Sequence, residues 1–231
     1  FEILRTERLD SREEAEALLA QLQSGATYTV TLDQSSEIQM AGNLTDTFQP
    51  AAGGTFTDVP ATHWAAGAVA FVSSQGLLQG TGASAFAPGQ PMTRAMLVTA
   101  LWREAGSPVV NYAMDFDDVD EDQWYTEAVR WAASEGIVTG TGKGFSPDAA
   151  LTRESLAAIL FRYAGGQADA DQLDSYADGA GVSAWAREAM NWAVAQGLIT
   201  GKSGGRLDPG GTASRAEVSA ILMRYVQSAQ A

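Results

Sequence analysis

One pattern occurs three times along the chain, and it constrains the possible folds more than any other feature. Each copy contains, in the same order, an aromatic-x-Asp segment, a tryptophan, two glycines, an x-x-Pro turn and a Thr/Ser-Arg pair. The spacing is nearly constant: Trp64, Trp124 and Trp185 lie 60 and 61 residues apart, and Arg94, Arg153 and Arg215 lie 59 and 62 apart. Repetition at a fixed period predicts a chain built from tandem structural units.

Composition excludes several classes of function. The 231 residues include 14 basic and 28 acidic side chains, a net charge of −14, which argues against nucleic acid or an anionic membrane surface as the partner. The chain has no cysteine, so neither disulfides nor a cysteine-ligated zinc site can form. No stretch approaches the roughly 18 apolar residues of a membrane helix, so we expect no membrane insertion.

Residues 1–44 have a different character from the repeats. Ser11 and Glu14 form a capping box that predicts a helix ending near Ser24. Alternating apolar residues over 28–32 and 38–40 then predict a hairpin. We interpret this α/β segment as the tail of a preceding domain or as a small cap on the repeats, followed by a Pro- and Gly-containing linker over 45–55.

Each repeat contains two helix patterns. The first begins at the tryptophan and stops at a glycine suited to the left-handed position after a helix: Gly76, Gly136 and Gly197. The second opens with a capping hydroxyl at Thr93, Thr152 or Ser214 and is strongly apolar on one face. One such unit cannot bury both helices. Three units around a common axis can, with the second helices pointing inward.

The ordered motifs resemble those of the S-layer homology domain family. The second copy is the most complete, with Phe116-x-Asp-Val, Trp124, Gly136-Ile-Val-x-Gly, Phe145-x-Pro and Thr152-Arg. The resemblance implies a mostly α fold of three tandem helical repeats, 56–106, 116–164 and 173–226, in a pseudo-threefold arrangement. We therefore predict a central three-helix bundle, together with the small N-terminal α+β segment. Of the Thr-Arg-Ala-Glu motif usual in the family, only the arginine is uniform here.

The same resemblance implies attachment to secondary cell-wall polysaccharide, with pyruvylated N-acetylmannosamine as the ligand of several members. We therefore expect a secreted cell-wall anchor of a Gram-positive-type bacterium, without catalytic activity or cofactor. Two alternatives remain open. One is a structural subunit that self-assembles in a surface layer through the N-terminal segment, and the other is the anchor of an exported enzyme.

The three arginines Arg94, Arg153 and Arg215 are the first candidate ligand-binding residues. Each lies in the first turn of a helix, where a basic side chain opposes the helix dipole. An unfavourable placement that occurs three times suggests that a carboxylate uses it. The alternative is an ion pair between repeats, with an aspartate such as Asp58, Asp118 or Asp178 as the partner.

Aromatic and acidic side chains supply the second group of candidates. Trp64, Trp124 and Trp185 could stack on a sugar ring, or could be half-buried by helix contacts. Asp58, Asp118 and Asp178 could accept hydrogen bonds from sugar hydroxyls, or could fix a local turn. Trp131 and Trp192 lie one helix face further on and are expected in the core.

Glycine-rich loops complete the predicted site, with Gly80, Gly82, Gly140, Gly142 and Gly201 letting a ligand approach the main chain. They are not phosphate-binding loops, because the spacing around Gly201-Lys202-Ser203 puts Gln196 where a glycine is required.

Other chemistries find little support in the sequence. The acidic run 118–122 lacks the glycine and the closing acid of a calcium loop, and it fits a solvated entry to a helix better. A single histidine, His63, leaves no catalytic triad or histidine-metal cluster. No metal site is therefore predicted, and no pair of carboxylates stands out for glycoside hydrolysis.

Overall fold

A computed structural model describes residues 28–30, 46–48, 56–82, 84–140, 142, 144–167 and 171–229. The chain divides into two compact units, Phe1–Ala52 and Gly53–Ala231.

In the first unit, strand β1 (Tyr28–Val30) pairs antiparallel with strand β2 (Asp46–Phe48), Tyr28 opposite Phe48. The predicted linker over 45–55 is therefore wrong for 46–48. The Pro and Gly residues further on suggested a linker, but an antiparallel partner supplies the main-chain hydrogen bonds that make these three residues a strand. The predicted helix over 11–24 and the predicted strand over 38–40 lie outside the described residues.

The described part of the second unit is helical, as predicted, with two α-helices in each repeat. The bounds are α1 (Ala66–Ser74), α2 (Arg94–Glu104), α3 (Thr126–Ser134), α4 (Arg153–Tyr163), α5 (Arg187–Ala195) and α6 (Arg215–Ala229). Three short 3₁₀ turns, at Leu173–Ser175, Gly179–Gly181 and Ala184–Ala186, lead into α5. None of the helices in the described residues is long and apolar enough to span a bilayer.

The helix ends follow the predicted start and stop signals. The hydroxyls of Thr93, Thr152 and Ser214 accept from the amides three residues on, at 3.1–3.2 Å. Gly76, Gly136 and Gly197 have φ of 66–69°, which a glycine adopts without the strain of a side chain. Each first helix begins two residues after its tryptophan rather than at it.

Backbone hydrogen bonds close the three repeats into a ring. Leu151 N donates to Met92 O, Ala213 N donates to Leu151 O, and Met92 N donates to Ala213 O, at 2.8–2.9 Å. The three residues come from the segments that precede α2, α4 and α6. Each repeat therefore bonds directly to both others, and the predicted threefold arrangement has an explicit geometric centre.

Helix contacts follow the same cyclic order. α2 packs on α3, α4 on α5, and α6 on α1, so the second helix of each repeat covers the first helix of the next. The inward faces are buried, as predicted, with Leu97, Leu156, Leu160 and Val218 fully enclosed. The core is thus shared between repeats, and removing one repeat would expose both of its neighbours.

Near the ends of the second helices, three equivalent side chains meet. The hydroxyl of Tyr163 donates to a carboxylate oxygen of Glu104, and the rings of Tyr163 and Tyr225 lie 5.7 Å apart. Burial, and then the Glu104 hydrogen bond, raise the pKa of Tyr163 well above its ordinary value, so the phenol remains a donor.

Candidate functional site

The three predicted arginines each bridge two repeats through main-chain carbonyls. The Nε atoms donate to the x-x-Pro turn of the next repeat: Arg94 to Phe145 O at 2.8 Å, Arg153 to Leu207 O at 2.6 Å, and Arg215 to Phe86 O at 2.8 Å. The Nη2 atoms donate to the glycine loop of the same neighbour: Arg94 to Thr139 O at 3.5 Å, Arg153 to Thr200 O at 3.1 Å, and Arg215 to Gln79 O at 2.6 Å.

Through these hydrogen bonds the arginines connect neighbouring repeats. Their partners are main-chain carbonyls, not the aspartates that the sequence offered as an alternative. Arg153 and Arg215 are each only 4% exposed. Burial lowers the pKa of Arg153, while Glu217 opposes that shift, and a guanidinium stays charged in either case. The Cζ atom of Arg215 also lies over the ring of Phe86, 4.4 Å from the ring centroid. Arg153 has Leu207 at the equivalent position, so no ring lies beneath it.

The three predicted aspartates accept hydrogen bonds from the x-x-Pro turn of their own repeat. Asp58 accepts from Phe86 N and Ala87 N, Asp118 from Phe145 N and Ser146 N, and Asp178 from Leu207 N and Asp208 N, at 2.6–2.9 Å. The second turn residues, Ala87, Ser146 and Asp208, have φ of 53–59°, which costs energy for any residue but glycine. The aspartates therefore stabilise the strained turn. The first residue of that turn carries the carbonyl that accepts from the arginine of the preceding repeat.

The predicted glycines fall into two groups. A Cβ on Gly80, Gly140 or Gly201 would come within 2.8–2.9 Å of the ring that begins the same repeat, Phe56, Phe116 or Tyr176. Gly82 and Gly142 have no atom within 4 Å of such a Cβ. At the first group a side chain would clash with the aromatic ring that lies on the loop, so only glycine fits there.

The predicted tryptophans are exposed. Trp64 is 66% exposed, and Trp124 and Trp185 are each 59% exposed, so the alternative that they are half-buried by helix contacts is wrong for all three. Trp131 and Trp192, by contrast, are 5% and 7% exposed and lie in the core, as predicted. A large apolar surface repeated three times in an acidic protein is available to a ligand.

One of these tryptophans forms a wall of a cavity of about 200 Å³, which we call the Trp64 groove. All three repeats contribute to it. Trp64 comes from the first, Arg153 from the second, and the third supplies the loop 199–202 and the α6 residues Glu217 and Arg224. Arg153 and the tryptophans were separate candidates in the sequence, and the structure brings Arg153 together with Trp64, a tryptophan of another repeat.

The charges in the Trp64 groove are arranged around Glu217. Its carboxylate lies 3.3 Å from Lys202 Nζ and 3.7 Å from Arg153 Nη1, and it accepts from Ser214 N at 2.8 Å. Burial alone raises the pKa of Glu217, but the amide, Lys202 and Arg153 outweigh it and hold the pKa below its ordinary value. Lys202 also pairs with Asp208 at 2.9 Å. The charged side chains that line the groove itself are Arg153, Lys202 and Arg224 against Glu217, a cationic excess in a chain of net charge −14.

Sequence reasoning missed three of these residues: Lys202, Glu217 and Arg224. Arg224 could have been found, because Arg103, Arg162 and Arg224 follow one another at intervals of 59 and 62 residues, the same intervals as the predicted arginines. All three of these later arginines donate to a carbonyl of their own repeat: Arg103 to Leu77 O, Arg162 to Ile137 O, and Arg224 to Leu198 O. Lys202 has no counterpart, since the equivalent positions hold Thr81 and Thr141.

Within the described residues, no group of three or more His, Asp or Glu side chains is placed to hold a metal ion. The groove can bind a ligand that has both an anionic group and an apolar ring face. Its cationic donors would contact the anion, and the indole would contact the ring.

The fold of three repeats agrees with a comparison against known protein families. The family model of the S-layer homology domain matches residues 55–95, 115–157 and 175–219, which together make up more than half of the chain. The chain belongs to the S-layer homology domain family, as its motifs predicted.

Curated relatives include surface-layer proteins and enzymes. The chain is 29% identical over 182 residues to the S-layer protein sap of Bacillus anthracis and 30% identical over 172 residues to the surface-layer 125 kDa protein of Lysinibacillus sphaericus. It is also 28% identical over 172 residues to the amylopullulanase of Thermoanaerobacterium thermosulfurigenes. These matches cover 75%, 71% and 73% of this chain but only 21%, 14% and 9% of those proteins.

Proposed function

We propose that the chain is a non-covalent cell-wall anchor that binds an anionic secondary cell-wall polysaccharide. The observation that carries this proposal is the Trp64 groove, where an exposed indole adjoins Arg153, Lys202 and Arg224. Membership of the S-layer homology family, and relatives that are S-layer proteins, support the same conclusion.

The ligand we propose is a sugar that carries a carboxylate, such as pyruvylated N-acetylmannosamine. The indole of Trp64 covers the sugar ring, and the carboxylate lies toward Lys202 and Arg224. Arg153 contributes its positive charge, because its Nε and Nη2 atoms are already used by carbonyls. A cavity of about 200 Å³ is smaller than the roughly 300–1,000 Å³ of sites for drug-sized ligands, so the groove takes a single modified unit.

Titration calorimetry with the pyruvylated monosaccharide tests this proposal. The unmodified sugar is the ligand control. Lys202→Thr installs the residue of the other two repeats, and loss of a partly exposed charged contact should weaken binding by about ten-fold. Trp64→Ala should weaken it by a similar factor. Arg130→Ala removes one positive charge from a surface pair with Glu127 on α3, and should leave the affinity unchanged.

Equal affinity for the modified and unmodified sugars would overturn the proposed carboxylate recognition. Trp124→Ala and Trp185→Ala determine how many grooves bind, because each removes the indole of a different repeat. If the Trp64 groove is the principal site, only Trp64→Ala weakens binding of the monosaccharide.

The similarity to the S-layer protein sap favours a second candidate, a subunit that self-assembles in a surface layer. Light scattering of the purified chain separates the two. An anchor stays monomeric without its polymer, whereas an assembling subunit grows with concentration. The similarity to an amylopullulanase raises a third arrangement, in which the same anchor holds an enzyme, and the sequence of the gene upstream of Phe1 tests it.

A further inference from the structure

The Trp64 groove already holds an anion of its own, the carboxylate of Glu217. One oxygen, Oε2, accepts from Ser214 N at 2.8 Å and so belongs to the cap of α6. The other oxygen, Oε1, lies 3.3 Å from Lys202 Nζ and 3.7 Å from Arg153 Nη1. The cap uses only one of the two oxygens, and the second lies among the cations of the groove.

These two cations are already engaged by groups of the protein. Two nitrogens of Arg153, Nε and Nη2, donate to main-chain carbonyls of the third repeat. The remaining nitrogen, Nη1, is the one that lies beside Glu217. Lys202 Nζ is shared between Glu217 and Asp208, whose Oδ2 atom is 2.9 Å away. An anionic ligand therefore meets cations that internal carboxylates already contact.

The fold does not require the Glu217 carboxylate. The second helices of the other two repeats have Met96 and Ser155 at this position, and all three helices begin at the same capping hydroxyl. Lys202 is equally specific to the third repeat, since the others have threonine there. The lysine and the glutamate occur together in one repeat, and as a pair they add no net charge to the groove.

Glu217 carries its charge at neutral pH. Burial raises its pKa, but the Ser214 amide, Lys202 and Arg153 outweigh burial and hold the pKa below its ordinary value. Its side chain is 22% exposed, so a bound molecule can reach it. A carboxylate in this place opposes an anionic ligand in two ways, because it repels the like charge and occupies the donors.

We propose that Glu217 is an internal competitor for the anion-binding position of the Trp64 groove. This inference rests on the proposed function, in which a sugar carboxylate lies toward Lys202. The ligand carboxylate takes the place of Glu217 Oε1 beside the lysine, and it does so only when its other contacts compensate for the lost ion pair. Stacking of the sugar ring on Trp64 supplies such a contact. A carboxylate without a ring is therefore held much more weakly by this groove.

Two titrations of the whole chain test the competitor. Calorimetry measures the affinity for the pyruvylated monosaccharide, and NMR of the Trp64 indole follows binding of the pyruvate ion, with chloride at equal ionic strength as its control. Glu217→Gln keeps an oxygen for the Ser214 amide and removes the charge. We expect this variant to bind both anions about ten-fold more tightly. Its affinity for the unmodified, neutral sugar should not change.

A double variant separates competition from direct contact of Glu217 with the ligand. Glu217→Ser and Lys202→Thr each install a residue of the second repeat, so both are compatible with the fold. Glu217→Ser alone should tighten binding of the pyruvylated sugar, and Lys202→Thr alone should weaken it. The two together should bind within about three-fold of the unsubstituted chain, because the net charge of the groove is restored.

Glu127→Gln is the matched control. It removes the same charge from a surface pair with Arg130 on α3, outside the lining of the groove, and should leave both affinities unchanged.

Equal or weaker binding of the pyruvylated sugar by Glu217→Gln would overturn the competitor and leave the glycan anchor standing. A double variant as weak as Lys202→Thr alone would also overturn it, since Glu217 would then contact the ligand favourably. If neither the unsubstituted chain nor any variant binds the sugar, the proposed function fails, and the pyruvate titration decides alone. Tighter pyruvate binding by Glu217→Gln would then support the competitor, and no difference would overturn it.

Discussion

Replacing Arg153 by alanine separates a structural role from a ligand-binding role. The side chain donates to Leu207 O at 2.6 Å and to Thr200 O at 3.1 Å, both in the next repeat. Truncation leaves the Leu207 carbonyl buried without its donor, at a cost of about 1–3 kcal/mol, while water can reach Thr200. With the loss of the second bond, we expect the free energy of unfolding to fall by about 2–4 kcal/mol.

Thermal melting followed by circular dichroism measures this change. In a folded unit of this size, 1 kcal/mol corresponds to about 2–4 °C, so the melting temperature should fall by roughly 5–15 °C. Arg153→Lys should recover part of the loss, since an ammonium keeps the charge but lacks the planar fork that serves two carbonyls. Arg130→Ala, which breaks a surface pair, should change the melting temperature by less than about 3 °C.

The affinity for the pyruvylated sugar, measured on the same variants, completes the test. A lower melting temperature with unchanged affinity would show that Arg153 only joins the repeats. A lower value of both would give it two roles. A melting temperature within about 2 °C of the unsubstituted chain would refute the hydrogen-bond reasoning, and an affinity loss would then make the arginine a ligand residue alone.

Three further predictions address the fold. Gly201→Ala should destabilise by about 1–3 kcal/mol, because its Cβ would lie 2.9 Å from an aromatic ring, whereas Gly82→Ala has open space and should be nearly neutral in a denaturant melt. Burial raises the pKa of Asp178 and Glu217, but it is outweighed by two main-chain amides at Asp178 and by one amide with Lys202 and Arg153 at Glu217, so both pKa values lie below the ordinary one. The stability that these carboxylates contribute is therefore present above about pH 4 and lost as the pH falls through the folded-state pKa. Melts between about pH 2 and 7 should show this loss, and Asp178→Asn should flatten the profile. Residues 53–231 alone should melt as cooperatively as the whole chain, whereas deleting the third repeat should abolish the transition; a non-cooperative melt of 53–231 would contradict the first half.

Much of the fold was predictable because its signals are local. The capping hydroxyl of Thr152 and the left-handed glycine Gly136 each act on residues within one helical turn. The apolar periodicity of α4 identified its buried face, and the period of the tryptophans gave three units. The segment 46–48 was mistaken for linker because a strand of three residues depends on a partner about 18 residues away.

The composition of the site was only partly predictable. Arg153 and Trp64 belong to motifs, so their residue types were evident, but their meeting in one groove depends on which repeat follows which around the axis. Glu217 and Lys202 are not repeated, and they reach the groove only through the fold of the third repeat.

The sequence alone therefore determined the number of repeats, the helix ends and the family, since each follows from chemistry within a few residues or from a period along the chain. The tertiary structure decided the order of contact, in which the second helix of each repeat covers the first helix of the next. It also decided that Arg94, Arg153 and Arg215 meet carbonyls of a neighbouring repeat. The physical reason is that buried carbonyls and guanidinium groups must find partners, and which partners are within reach is fixed only when the ring of three repeats closes.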